Sequence, residues 1–187
     1  MAGSRSSLFE YNYQLSFDDY LNFNLYHSLD RKESRQAFLA FRFMLPVLSV
    51  IAIAVFFIAG AEKDFIVIEA FFLAIVSAIW VAFSKKVMAF SIKRNLKRMM
   101  KSGKLPYTTE NHLIFDGEQI IEISERGTSA VKYSSIENAD DTGTAVYVYI
   151  SAAQAFIIPQ SAFAGDEDKR ELLKHLYSVI ETENKEK

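Results

Sequence analysis

The chain has 187 residues, half of them hydrophobic, and 24% charged residues whose signs nearly cancel to a net charge of −2. That length allows one or two small domains, and the absence of cysteine excludes disulfides, thiolate metal sites and a cysteine nucleophile. His27, His112 and His175 lie far apart and share no ligand spacing, so no metal and no cofactor is expected.

Residues 1–36 read as an N-terminal strand and helix. The opening MAGSRSSLFEYNYQLSF lacks the apolar run of a signal peptide, so none is expected. LFEYNYQLS (8–16) suits a strand, and Ser16 then caps a helix beginning FDDYLNFNLYHSL. Asp18 and Asp19 fall in its first turn, where carboxylates complement the helix dipole. So short and aromatic a piece is not stable alone. Its strand is expected to add to the sheet of residues 105–187, which makes the intervening residues an insertion in one composite domain.

Residues 37–83 carry two apolar runs, at about 43–60 and 65–83, separated by GAEKDF. Spanning the roughly 30 Å hydrocarbon core takes about 17–25 apolar residues, and both runs reach that length. Neither run has the polar stripe of a surface helix. A buried hairpin in a soluble core is the competing reading, and the rest of the chain offers too little material to cover it. A two-helix transmembrane hairpin is therefore expected. Arg31, Lys32, Arg35 and Arg42 precede it, while Lys85, Lys86 and further basic residues follow it. Basic flanks stay inside, which predicts a multi-pass protein of the cell membrane with both termini cytoplasmic. Trp80 falls near the inner end of the second span, at interface depth, and Pro46 is expected to kink the first helix. Glu69 is the acid within a span and a candidate intramembrane site, although it lies only about 7–8 Å from the outer end. Ser49 and Ser77 fall at similar depth and are expected to share a hydrogen bond in helix packing.

Residues 84–104, SKKVMAFSIKRNLKRMMKSGK, hold eight basic residues and no acid. Met88, Ile92, Leu96, Met99 and Met100 form one stripe. Lys86, Lys93, Arg94, Lys97, Arg98 and Lys101 face the other way and are candidate contacts for anionic lipid of the inner leaflet. The bland alternative is an orientation signal on a solvated face. No nucleic-acid-reading motif accompanies the charge, so nucleic acid is not an expected partner.

After Pro106 the texture changes to short alternating segments: 112–116, 119–126, 129–136, 145–151, 154–159 and 161–163 read as strands. Gly117 and Gly127 mark turns, as does ENADDTG. Residues 166–183 read as a helix, acidic in its first turn, with Leu172, Leu173, Leu176, Val179 and Ile180 on its apolar face. Residues 105–187 are thus an α+β module, an antiparallel sheet with a C-terminal helix. The search for catalytic constellations is negative. GxSxG, Walker, HExxH and GxGxxG patterns do not occur, and Ser134 and Ser135 have no nearby histidine. Asp140–Gly143 (DDTG) contains the Asp-Thr-Gly signature of aspartic proteases, but a single copy in a polar turn is a weak signal, and such chemistry needs a second carboxylate. No enzyme is expected.

Several local patterns occur together: Tyr13-x-Leu15-Ser16 followed by Asp19-Tyr20, Ser28-x-Asp30-Arg31 before the hairpin, Lys132-Tyr-Ser-Ser-Ile136 and Phe156-Ile-Ile-Pro-Gln-Ser-Ala-Phe163. Together they resemble the YcxB-like family of small bacterial membrane proteins. The resemblance implies a membrane anchor and a cytoplasmic module similar to pleckstrin-homology-like domains. It implies no activity and transfers no catalytic residue. Tyr133 stands where the family often has Trp, a departure expected to touch packing. The function expected is a non-enzymatic binding or adaptor module for a protein or anionic lipid. The alternative is an accessory subunit of a transporter or membrane complex, or a homo-oligomer, acting through the hairpin and Glu69.

Overall fold

Tertiary structure divides this chain differently from its linear order. The computed structural model describes residues 8–103 and 107–185; residues 1–7, Lys104, Leu105-Pro106 and residues 186–187 lie outside the described residues. One unit comprises Met1–Phe23 with Gly103–Lys187, and the other is Asn24–Ser102.

The first unit begins with β1 (Phe9–Gln14), which pairs antiparallel with β2 (Glu110–Phe115). The order β1-β2-β3-β4 continues through β3 (Gln119–Ser124) and β4 (Gly127–Lys132). A second sheet has the order β5-β6-β7: Asn138–Asp141, Ala145–Tyr149 and Ala155–Pro159. Period-two alternation sends Tyr11, Leu113, Phe115 and Ile120 inward from the first sheet to meet Val146, Val148, Phe156 and Ile158 from the second. Helix α4 (Asp166–Lys185) closes this core with Leu172, Leu173 and Leu176. The α+β class is as read from the sequence.

β6 is buried along its whole length because both of its faces are covered. Its outward rings Tyr147 and Tyr149 lie 5.2 and 6.1 Å from Phe23 of α1 (Phe17–Leu25). The start of α1 is a reciprocal cap: Asp19 N–H donates to Ser16 Oγ at 3.1 Å, and Ser16 N–H donates to Asp19 Oδ2 at 3.0 Å.

Three local readings change. Asn138–Asp141, read as a turn, is edge strand β5, which pairs antiparallel with β6. Residues 161–163, read as a strand, are the end of a 3₁₀ turn, Gln160–Ala162, that follows Pro159, and its extended cap residue Phe163. Tyr133–Ser135 is likewise a 3₁₀ turn after β4.

In the second unit a π-helical turn, Tyr26–Asp30, leads to α2 (Arg35–Ile58) and α3 (Lys63–Lys101). Both helices are long and apolar enough to cross a membrane, and none of their apolar windows is buried by the protein. Phe57 is 74% exposed and Phe71 71%. α2 continues on both sides of Pro46. It ends where Gly60 turns to φ 76° and Ala61 N–H reaches back to Phe56 O at 3.1 Å, a left-handed helix stop that glycine adopts without strain.

Candidate functional site

α3 is one unbroken helix of 39 residues, about 58 Å long. The basic segment therefore continues the second apolar run without a bend into a new element. At 100° per residue, Lys86, Lys93, Arg94, Lys97, Arg98 and Lys101 fall on one face around Phe90. The last five and Phe90 line an open hollow of about 600 Å³. All six cations are exposed, and among the described residues none is ion-paired. Cations three and four apart repel one another, so an anion on this face relieves a standing cost. Lys85 lies on the other flank, where its ammonium meets Asp30 at 2.7 Å. Lys86 instead sits 5.4 Å from the centre of the Phe83 ring. Away from the basic face, Ser84 and Leu96 are buried and Met88, Ile92 and Met99 half-buried, whereas Met100 is exposed.

The hairpin interior is polar at two levels. Ser49 Oγ donates to Leu45 O at 2.9 Å, so the 3.1 Å bond between Ser49 and Ser77 takes its proton from Ser77. Trp80 Nε1 donates to Phe41 O at 3.3 Å, and the two rings lie 5.1 Å apart, so the indole N–H is occupied between helices. Glu69 is half-buried on α3 and makes no ion pair with Arg42.

The sheet unit has a polar hub that sequence reasoning missed. Asp116, 2% exposed, accepts the N–H groups of Glu118 and Gln119 at 2.8 Å each and so shapes the β2–β3 turn. Its carbonyl accepts the Tyr133 hydroxyl at 2.7 Å, and His175 Nε2 lies 3.3 Å from that hydroxyl. Since Tyr133 donates to Asp116, it receives the His175 N–H. Burial, then the nearby Asp116 charge, pushes the Tyr133 phenol up to about 12. Burial lowers the His175 pKa. An Asp followed by Gly within a hairpin turn is the one sequence signal that could have found Asp116. At the other end of the core, a cleft of about 580 Å³ opens between the sheets, with Tyr13, Glu122, Arg126, Ser129, Gln154 and Phe156 among its lining. The DDTG motif is a hairpin corner: Asp141 accepts Gly143 N–H at 2.8 Å and pairs with Lys169 at 3.2 Å. His112 pairs with Glu10 across β1–β2 at 2.7 Å. Among the described residues no group of acids and histidines could hold a metal.

Tyr133 and the run Phe156–Phe163, both core elements here, are also the patterns on which the resemblance rested. Residues 115–176 match the family model described as YcxB-like protein. The YcxB-like segment runs from the end of β2 to Leu176 of α4, and so contains the Asp116–Tyr133–His175 hub and all of the second sheet. The resemblance read from the sequence is borne out over that segment. Tyr133 is 5% exposed, and its hydroxyl adds a hydrogen bond to the packing role expected at this position. No curated protein and no solved structure matches the chain.

Proposed function

We propose that the protein is a non-enzymatic, membrane-anchored binding module. In this reading α2 and α3 cross the cell membrane as a hairpin, and both flanks lie in the cytoplasm. The two antiparallel sheets and their C-terminal helix form a pleckstrin-homology-like module. The observation that carries the reading is the face of six exposed cations, none ion-paired among the described residues, on the helix that also forms the second apolar run. A charge of this sign beside a membrane gains about 1 kcal/mol per residue from anionic lipid. The exposed apolar surface of both helices supports the anchor, since water does not tolerate so large a continuous apolar patch.

The test is native mass spectrometry of the intact protein released from nanodiscs of phosphatidylcholine with a minor share of phosphatidylglycerol. Preferential retention of phosphatidylglycerol supports the reading, and retention in proportion to its share overturns the lipid-binding part.

A second reading makes the hairpin itself the interaction surface, as an accessory subunit of a membrane complex. Glu69 favours it, being half-buried among apolar residues without an ion-pair partner among the described residues. Crosslinking in cells distinguishes the two. A stoichiometric membrane-protein partner lost on Glu69→Gln supports the subunit, and an unchanged crosslink pattern removes it.

A further inference from the structure

The geometry points to a phospholipid headgroup seat on the proximal half of the basic face, formed by Lys86, Phe90, Lys93 and Arg94. It rests on the membrane reading above and deepens it by dividing the six cations. On α3, Phe72, Ile75, Ile79, Phe83, Lys86, Phe90, Lys93, Lys97 and Lys101 follow one another in steps of three or four residues. They form a single column on one side of the helix. Its first four members are exposed apolar side chains, from 44% at Ile75 to 60% at Phe72. An acyl chain lying along that half ends at Phe83, and the next side chain in line is Lys86.

Distance then decides which cations a headgroup meets. Taking Phe83 as the edge of the hydrocarbon, Lys86 stands about 4.5 Å beyond it, and Lys93 and Arg94 about 15–16 Å. Lys97, Arg98 and Lys101 stand about 21–27 Å beyond. The headgroup zone is about 6 Å deep on each side, and screening removes exposed charge–charge attraction beyond about a further 8 Å. Helical side chains lean toward the helix N-terminus, which for α3 is back toward the span. That lean brings Lys93 and Arg94 into range and leaves Lys101 well outside it. Phe90, 66% exposed between Lys86 and Lys93 and about 10 Å beyond Phe83, leans back toward the headgroup zone and offers it an apolar surface. Lys85, one position away from Lys86, is held by Asp30 and does not join the seat.

The test compares two triple variants of the full chain in the same nanodiscs. Lys86→Gln/Lys93→Gln/Arg94→Gln removes the seat, and Lys97→Gln/Arg98→Gln/Lys101→Gln removes an equal charge farther out. The expected result is a loss of phosphatidylglycerol preference by roughly tenfold or more in the proximal triple and little change in the distal triple. An equal fall in both overturns the seat and leaves a diffuse electrostatic attraction in its place. No preference in the unsubstituted protein overturns the lipid-binding reading itself. Free inorganic phosphate that abolishes the preference at matched ionic strength would reassign the seat to a soluble anion. Labelling of a cysteine at Glu62, from outside the cell, verifies that each variant inserts with its tip unchanged.

Discussion

Gln14 and Glu110 face each other across β1 and β2 although they are 96 positions apart, and the Gln14 amide donates to the Glu110 carboxylate at 3.4 Å. Leu15 N–H continues the contact to Thr109 O at 2.8 Å. Everything between these residues is therefore a loop that leaves one strand of a sheet and returns to its neighbour. A loop of that kind brings both ends to the same side of anything it crosses. This constraint is independent of the basic flanks on which the proposed orientation rests.

The proposed topology has a direct test. The chain has no native cysteine, so Glu62→Cys and Ser102→Cys each give a single thiol. A membrane-impermeant maleimide applied to intact cells is expected to modify the first, and the second only after permeabilisation. Modification of Ser102→Cys from outside would reverse the orientation.

Asp116→Ala removes the acceptor of two part-buried turn N–H groups. Hydrogen bonds to a charged group contribute about 1.5–3 kcal/mol net, so a loss of about 1.5–3 kcal/mol is expected in equilibrium unfolding. Asp116→Asn keeps an acceptor oxygen and should lose about half as much or less. Equal stability of Asp116→Ala and the unsubstituted protein would remove the turn's dependence on this carboxylate.

His175 makes stability depend on pH in a defined direction. The folded ring, half-buried beside Phe9 and Tyr133, binds its proton less readily than at the ordinary value of 6.5. Below that value the unfolded chain takes up protons that the folded one resists, so stability falls as pH drops and is unaffected by this group above it. His27 has the same sign, from burial first and Arg31 second, with Glu33 opposing. His175→Gln retains an N–H donor and should reduce the drop in melting temperature between neutral pH and about pH 5. An identical drop in the variant would assign the dependence elsewhere.

The Ser49–Ser77 bond joins α2 and α3 at 3.1 Å. Interhelical hydrogen bonds within membranes average about 0.6 kcal/mol in double-mutant cycles. A cycle of Ser49→Ala and Ser77→Ala should return a coupling of that order in detergent unfolding. Additive effects of the two substitutions would show that the bond does not hold the hairpin together.

The sequence by itself determined the elements whose signal is local and long. Two runs of apolar residues fixed α2 and the first half of α3, because no polar stripe recurs every three or four residues along either run. Ser16 with Asp18 and Asp19 fixed the start of α1, and the 3.6-residue spacing of Leu172, Leu173, Leu176, Val179 and Ile180 fixed the buried face of α4. Only the tertiary structure decided what depends on distant partners. Asn138–Asp141 has turn composition, and it is a strand because β6 offers it backbone hydrogen bonds at the sheet edge. Asp116 reads as an ordinary turn residue until Tyr133, from the end of β4, closes over it. The register of β1 on β2 is of the same kind. Alternation in residues 8–15 shows that a strand forms and which side chains face inward, but pairing Gln14 with Glu110 requires the long insertion to bring both strands back together.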